Sequence, residues 1–200
     1  MLKRKGKNTK AEIRNHALLL FAEKGFKSVT MNDICVSTGL SRGGLYRYYG
    51  STSEIFAEIL TKIVQGIGDN LAEALRSGKS PTQSLDMLLS NWSKSVSDVE
   101  TSVVFATIEF CHLKGSEALE KAYSRAMEIW TSFINYGIAQ GEFNRIDPRA
   151  AAATIMFAYE GARAASALMG INESTGKGLA NCIRTMLVKP QPVQQMAYAV

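Results

Sequence analysis

The stretch that decides the fold runs from Thr30 to Ser51 and reads TMNDICVSTGLSRGGLYRYYGS. Thr30 and Ser41 are typical N-cap residues, which predicts one short helix from Thr30 to about Thr38 and another from Ser41 to about Tyr48. Gly39 lies between the two helices, where a sharp turn needs a positive φ. Two short helices joined in this way predict a helix-turn-helix, whose second helix enters the major groove of DNA.

Two glycines follow Ser41 within the second of these helices. Gly43 and Gly44 each cost a helix about 1 kcal/mol relative to Ala, so their presence needs an explanation. Without side chains, the helix backbone can approach DNA closely. The alternative interpretation is that both glycines lie in an ordinary turn.

Turn residues divide the rest of the chain into further helices. An amphipathic first helix is predicted over about residues 9–24, with Ile13, Ala17 and Phe21 on its apolar face and Gly25 at its end. The later helices are predicted at about 52–76, 81–97, 99–113, 116–139, 148–169 and 175–187. The sequence therefore predicts an all-α fold of about nine helices, with no convincing strand.

Charge is distributed unevenly along the chain. Residues 1–53 carry ten Lys and Arg against three Asp and Glu, whereas the remainder carries thirteen against fifteen. A basic first quarter on a nearly neutral body indicates a nucleic-acid-binding module, although a charged, solvated surface is the alternative.

Several classes of protein are disfavoured by composition. No apolar run is long enough to span a membrane, and no apolar segment of a secretory signal follows the basic N-terminus, so a cytoplasmic location is expected. Cys35, Cys111 and Cys182 are widely spaced, which argues against a disulfide framework or a zinc site. We therefore expect no metal and no cofactor.

Two stretches, AEIRNHALLLFAEKGF and GLSRGGLYRYYGSTSEIF, resemble the N-terminal domain of the TetR (tetracycline-repressor) family. The family has a first helix that ends in a Gly-aromatic pair, here Gly25-Phe26, a Thr-capped second helix, and a recognition helix, here residues 39–49. The match covers about residues 10–60. It implies a helix-turn-helix DNA-binding domain over residues 1–52, a helical effector-binding and dimerisation domain over 53–188, and a flexible tail over 189–200.

The resemblance implies which residues contact DNA. Arg42 would read a base in the major groove, Tyr46 would bond a phosphate, and Tyr49 would be a buried core residue. The full set expected at the DNA is Thr30, Ser41, Arg42, Gly43, Gly44, Tyr46, Arg47, Tyr48 and Thr52.

One position departs from the family pattern. The family usually has Lys where this chain has Thr52, which removes one charge-assisted phosphate contact. The basic arm either compensates by reaching a minor groove or phosphates, or is a flexible, solvated tail. Its charged residues are Lys3, Arg4, Lys5 and Lys7.

The resemblance also implies that the C-terminal helices bind a small effector. We expect the ligand near aromatic and polar residues in helices that have no role at the DNA, with a filled core as the alternative. If buried, Glu109 or Glu160 would suit a cationic or hydroxylated ligand. The candidate ligand-binding residues are Trp92, Phe105, Glu109, His112, Met127, Trp130, Phe133 and Tyr159.

A homodimer is the remaining implication of the family. Small and apolar residues form a stripe on the helix at 148–169, and the last helix offers further apolar residues, so these helices are expected to pair between subunits. The alternative is that the stripe belongs to the core of one chain. The candidate interface residues are Ala153, Phe157, Gly161, Ala164, Leu168, Ile183 and Met186.

Other functions find little support in the sequence. The histidines are His16 and His112, and the best catalytic candidates, Cys111 and His112, are neighbours that point about 100° apart on a helix. The chain lacks the signatures of RNA-binding folds and of common enzymes. The prediction is therefore a sequence-specific DNA-binding transcriptional regulator rather than an enzyme, most simply a repressor that a small molecule releases from its operator.

Overall fold

The computed structural model describes residues 2–98 and 102–190. Over this part of the chain it is all-α, as the sequence predicts, and a single antiparallel bridge between Phe143 and Val188 is the one β-type pairing. The nine helices are α1 (Leu2–Ser28), α2 (Met31–Thr38), α3 (Arg42–Tyr46), α4 (Thr52–Arg76), α5 (Pro81–Ser97), α6 (Val104–Lys114), α7 (Glu117–Ala139), α8 (Pro148–Met169) and α9 (Glu173–Leu187).

The first helix is longer than the sequence suggested. Its backbone is helical from Leu2, so the basic arm continues α1 instead of preceding it; Lys and Arg are good helix formers, which favours this extension. Gly25 interrupts the helix with φ 75° and ψ 171°, as its predicted role at the end of the amphipathic segment requires.

Two other helix ends differ from their predicted positions. α6 begins at Val104 rather than near residue 99, because Val103 is not helical and provides no side-chain cap; residues 99–101 lie outside the described part. α3 ends at Tyr46, and a turn follows in which Tyr48 N donates to Leu45 O at 2.9 Å.

The expected flexible tail lies mostly outside the described residues, which end at residue 190. At its start, Lys189 N donates to Glu142 O at 3.0 Å, so this residue is held by the loop after α7.

The N-terminal core joins α1, α2 and α3 to the first turns of α4 and to α6. Its centre is an aromatic cluster of Phe21, Phe26, Phe56 and Phe110, whose contacting ring centroids lie 4.9–5.7 Å apart. Because Phe56 and Phe110 follow residue 52, this core extends past the domain boundary that the sequence predicts.

The second core lies among α4, α5, α7, α8 and α9. Trp92, Trp130, Phe133, Ile155 and Ile183 are buried in it. The Phe143 ring covers Gly137, where a Cβ atom would lie 2.1 Å from the ring. The helices around this second core form the helical body of the protein, which adjoins the N-terminal helices.

Candidate DNA-binding surface and effector cavity

The helix-turn-helix is built by side-chain caps at both helix starts. At α2, Asp33 N donates to Thr30 Oγ1 at 3.2 Å and Thr30 N donates to the Asp33 carboxylate at 2.8 Å. The pKa of Asp33 is lowered by the hydrogen bonds that its carboxylate accepts from the Thr30 hydroxyl and from the Thr30 backbone N–H. At α3, Gly44 N donates to Ser41 Oγ at 3.2 Å. Gly39 has φ 68° and ψ 11°, the left-handed turn that the sequence predicts. The motif is therefore preformed in the free protein.

The recognition helix presents exposed residues to solvent. Arg42, Gly43 and Arg47 are exposed, and Tyr46 is 50% exposed. Within the described part of the chain, neither arginine pairs with a carboxylate. A Cβ atom at Gly43 would meet nothing within 4 Å. This face is therefore open to a large, negatively charged partner.

Three other expected DNA residues have visible structural roles. Gly44 is half-buried, and a Cβ atom there would lie 3.2 Å from Ser41 Oγ, so the absence of a side chain protects the cap. Tyr48 is half-buried against the N-terminal core. Thr52 is the first residue of α4, whose cap is Ser51. DNA contact by these residues stays a prediction.

A polar network, which the sequence analysis missed, fixes α3 relative to α1 and α4. Tyr49 is 1% exposed, which confirms it as a core residue, and burial raises its pKa to about 12. Arg14 Nη1 donates to Glu58 Oε1 at 2.6 Å and to the Tyr49 hydroxyl at 3.5 Å. Lys10 Nζ lies 3.5 Å from Glu58 Oε2 and 4.6 Å from the Tyr49 ring centroid. The end of the recognition helix is thereby tied to two long helices.

A cavity of about 420 Å³ lies in the body between α4, α5, α7 and α8. Trp92, Trp130 and Tyr159 line it, so three of the eight predicted ligand residues meet at one site. A second cavity of about 360 Å³ lies between α4, α6, α7 and α8. Both are lined by Ile63, Val64, Tyr123, Tyr159 and Glu160, so they are two lobes that meet beside the middle of α4.

Polar groups are sparse but organised in this double cavity. The Tyr159 hydroxyl is bonded to Ser95 Oγ at 2.9 Å and accepts from Arg163 Nη1 at 3.1 Å. Trp92 is buried, and its indole N–H has no hydrogen-bond partner in the described part of the chain. Glu160 stands in a concave position that water still reaches; desolvation there raises the pKa of its carboxyl, and Arg163 opposes the shift.

Five of the predicted ligand residues lie elsewhere. Phe105 and His112 are exposed on α6, and Phe133 is 2% exposed in the second core. Met127 faces a separate groove along α7 near Arg149. These residues do not line the double cavity, because the assignment rested on sequence proximity, which does not give the rotation of a helix about its own axis. A ligand role for them stays a prediction.

Glu109 is the most informative of these residues. Its Oε2 accepts a hydrogen bond from Lys27 N at 2.9 Å, immediately after the interruption of α1 at Gly25. Its carboxylate therefore joins α6 to the N-terminal helices and does not line the double cavity.

The predicted dimer stripe divides between surface and core. On α8, Phe157 is 64% and Leu168 69% exposed, and Gly161 is exposed beside them. Ala153 and Ala164 are half-buried. On α9 the prediction was wrong for Ile183, which is 4% exposed, and Met186 packs on the same core, because the apolar side of α9 is used against α5.

The described residues show neither of two other kinds of site. No cluster of His, Cys, Asp or Glu suitable for a metal ion occurs among them. Likewise, none of the described helices combines the length and apolar character needed to cross a membrane.

Together, the preformed turn, the exposed arginines and the helical body define a helix-turn-helix DNA-binding protein with an internal cavity. Residues 13–59 match the family model described as "Bacterial regulatory proteins, tetR family". The chain is 32% identical over 149 residues to the HTH-type transcriptional regulator YfiR of Bacillus subtilis, with 70% of each protein covered. The chain belongs to the TetR family of bacterial transcriptional regulators.

Two further comparisons agree. The HTH-type transcriptional repressor KstR2 of Rhodococcus jostii is 25% identical over 137 residues, 67% of each chain. A TetR-family transcriptional regulator from Syntrophomonas wolfei superposes with a TM-score of 0.73, covering 90% of this chain and 94% of the other at 18% identity. The latter comparison supports the fold, and the predicted class of DNA-binding regulator is confirmed.

Proposed function

We propose that this regulator is a homodimeric repressor that binds a nearly palindromic operator through two α3 helices and dissociates when a small molecule occupies the double cavity. The observation that carries the proposal is the pairing of an open recognition helix with a cavity-bearing body that shares a helix, α4, with the N-terminal core. The relatives named as repressors support repression over activation.

At the DNA, Arg42 is the base-reading residue of the proposal. It lies in the first turn of α3, where a helix-turn-helix protein contacts base edges, and Arg to guanine is the commonest specific contact. Tyr46, one turn later, bonds a phosphate through its exposed hydroxyl. The open backbone at Gly43 allows the helix to lie close to the groove floor.

The dimer of the proposal pairs the outer face of α8 with the same face of a second copy. Phe157 and Leu168 expose large apolar surfaces there, and Gly161 between them has open space around it. An interface of this kind is self-complementary about a two-fold axis. It also sets the distance between the two α3 helices, and so the spacing of the operator half-sites.

Ligand and DNA are coupled through α4 in this proposal. Ile55 and Phe56 at its start are buried in the N-terminal core, whereas Ile63, Val64 and Ile67 line the cavity about two to three turns later. A ligand that displaces the middle of α4 therefore moves the support of the recognition helix. Such couplings are about 1–3 kcal/mol, a 5- to 150-fold change in DNA affinity.

The test measures affinity for DNA from the region upstream of the regulator's own gene, by fluorescence anisotropy. Arg42→Ala is expected to weaken binding to the specific site by about 1–3 kcal/mol and to relax its sequence preference. Tyr46→Phe is expected to weaken all sequences about equally. Arg76→Ala, which removes an exposed arginine at the far end of α4, is the matched control.

Two results would contradict the proposal. One is an Arg42→Ala protein that keeps its sequence preference, since the assigned register of α3 would then be wrong. The other is a protein that sediments as a monomer at micromolar concentration while binding a half-site tightly.

A further inference from the structure

We propose that the double cavity selects uncharged amphiphiles: molecules with an apolar body, an oxygen that accepts a hydrogen bond from the Trp92 indole, and an N–H or O–H group that donates to Glu160. This inference rests on the proposed function, because it names the chemical class of the effector. It goes beyond that function in predicting which head groups the protein accepts and which it rejects.

The indole N–H of Trp92 is the main observation. Trp92 is 9% exposed, it lines the cavity, and its N–H has no acceptor within the described part of the protein. Buried polar groups in proteins are nearly always paired. Of the five buried side-chain atoms without a partner in the described residues, the Trp92 indole nitrogen is the one whose residue lines the double cavity, so we infer that a ligand supplies its acceptor. A carbonyl or amide oxygen supplies that acceptor.

The neighbouring groups do not supply it. The Trp92 and Tyr159 rings are in contact, with centroids 5.5 Å apart, but the Tyr159 hydroxyl is already bonded to Ser95 and Arg163. The indole is held by packing in the second core. Its donor is therefore fixed in place before any ligand arrives, which reduces the entropic cost of binding.

The walls around this donor require an apolar body. On the side of the 420 Å³ lobe, the lining is supplied by large side chains of α4, α5, α7 and α8, which are Ile67, Leu88, Leu89, Trp130, Ile155 and Met156. A second lobe of about 360 Å³ continues past Ile63 and Val64. The shape thus favours an elongated molecule with few polar atoms.

Charge selection follows from Glu160 and its surroundings. Glu160 lies where the two lobes meet, so a carboxylate ligand would place a second negative charge beside it. The guanidinium of Arg163 already opposes the charge of Glu160, so an amine would lose its hydration without finding an uncompensated carboxylate. A neutral donor satisfies the Glu160 carboxyl without either penalty.

The test uses the protein's own fluorescence, because the chain has two tryptophans and both line the cavity. Decanamide, decanoate, decylamine and 2-undecanone share an apolar body and differ in head group. Trp130→Phe leaves Trp92 as the sole emitter. We expect decanamide to bind most tightly, by about tenfold over decanoate, and to shift Trp92 emission to longer wavelength.

Two variants separate the contributions of the polar groups. In Trp92→Phe, read out through Trp130, decanamide affinity is expected to fall about tenfold because the donor is gone while an aromatic ring remains. In Glu160→Gln, the preference for decanamide over decanoate is expected to narrow. Circular dichroism establishes whether each variant is folded. If Trp92→Phe does not fold, Glu160→Gln still tests the proposal.

The inference is overturned if decanoate or decylamine binds the wild-type protein most tightly, or if neither variant narrows the preference for decanamide. Adding operator DNA separates this inference from the proposed function. Binding of decanamide without loss of DNA affinity would support the cavity chemistry and refute effector release. Release of the protein from DNA by a charged compound that competes with none of these four ligands would support effector release and refute the cavity chemistry.

Discussion

Replacing Gly25 with Ala tests how the N-terminal helices are joined to the body. Gly25 has φ 75° and ψ 171°, a conformation that essentially only glycine adopts. A Cβ atom built there lies 2.7 Å from Oε2 of Glu109, the oxygen that accepts the hydrogen bond from Lys27 N. The substitution therefore strains the backbone and displaces the carboxylate at the same time.

The two effects add to a sizeable loss of stability. The backbone strain costs about 1–3 kcal/mol. Losing a hydrogen bond to a charged group costs about 1.5 kcal/mol, the lower end of its range, because Glu109 is half-exposed. We expect a total of about 3 kcal/mol, which corresponds to a decrease of about 6–12 °C in melting temperature for a chain of this size.

Gly39→Ala is the matched control. Gly39 also has a positive φ, 68°, but a Cβ atom there meets nothing within 4 Å. Its replacement is expected to cost only the left-handed backbone term, about 1 kcal/mol. Melting curves followed by circular dichroism compare the two variants directly.

A double-mutant cycle with Glu109→Ala identifies the steric part. In the Glu109→Ala background, Gly25→Ala no longer meets the carboxylate, so its cost is expected to fall by about 1 kcal/mol or more. If the two substitutions are additive, or if Gly25→Ala costs no more than Gly39→Ala, the contact between α1 and α6 does not have the role described.

Three further tests address other parts of the structure. Gly137→Ala places a Cβ atom 2.1 Å from the buried Phe143 ring and is expected to cost about 1–3 kcal/mol in a thermal melt. Gly178→Ala is expected to cost nothing, because a Cβ atom at this exposed position of α9 meets nothing within 4 Å, and equal effects would refute the packing argument. Ser41→Ala removes the cap of α3 and is expected to lower stability by about 0.5–2 kcal/mol and to weaken operator binding, and unchanged DNA affinity would count against a preformed motif. The folded-state pKa of Glu160 is raised above its ordinary value of 4.5, so the stability associated with its protonated form is fully present below pH 4.5 and is lost as the pH rises through the folded-state pKa. The melting temperature of Glu160→Gln is therefore expected to equal that of wild type at pH 4 and to exceed it at pH 7. The opposite trend would show that the charged form is favoured.

Features that depend on local chemistry were predicted well from the sequence. The caps at Thr30 and Ser41 and the turn at Gly39 involve residues within three or four positions of one another, so the residue types are sufficient to predict them. Tyr49 was placed in the core through the family resemblance, and the structure agrees.

Features that depend on how helices face each other could not be predicted. Glu109 and Lys27 are 82 positions apart, and the bond between them depends on the rotation of α6 against α1. Ile183 lies on an apolar face whose partner could be another chain or α5, and periodicity alone does not distinguish the two. Trp92 and Tyr159 were both chosen for their residue type, but their contact across α5 and α8 is a property of the packed body.

The aromatic cluster limits how the regulator can be re-engineered. A chimaera that transplants residues 1–52 onto the body of another regulator would leave behind Phe56 and Phe110, and with them the surfaces that cover Phe26. An operator-swapping cassette cut at this point would expose aromatic side chains at its seam and invite aggregation. A usable cassette extends through Ile59 and Leu60 of α4 and requires a recipient whose α6 carries an aromatic residue at the position of Phe110.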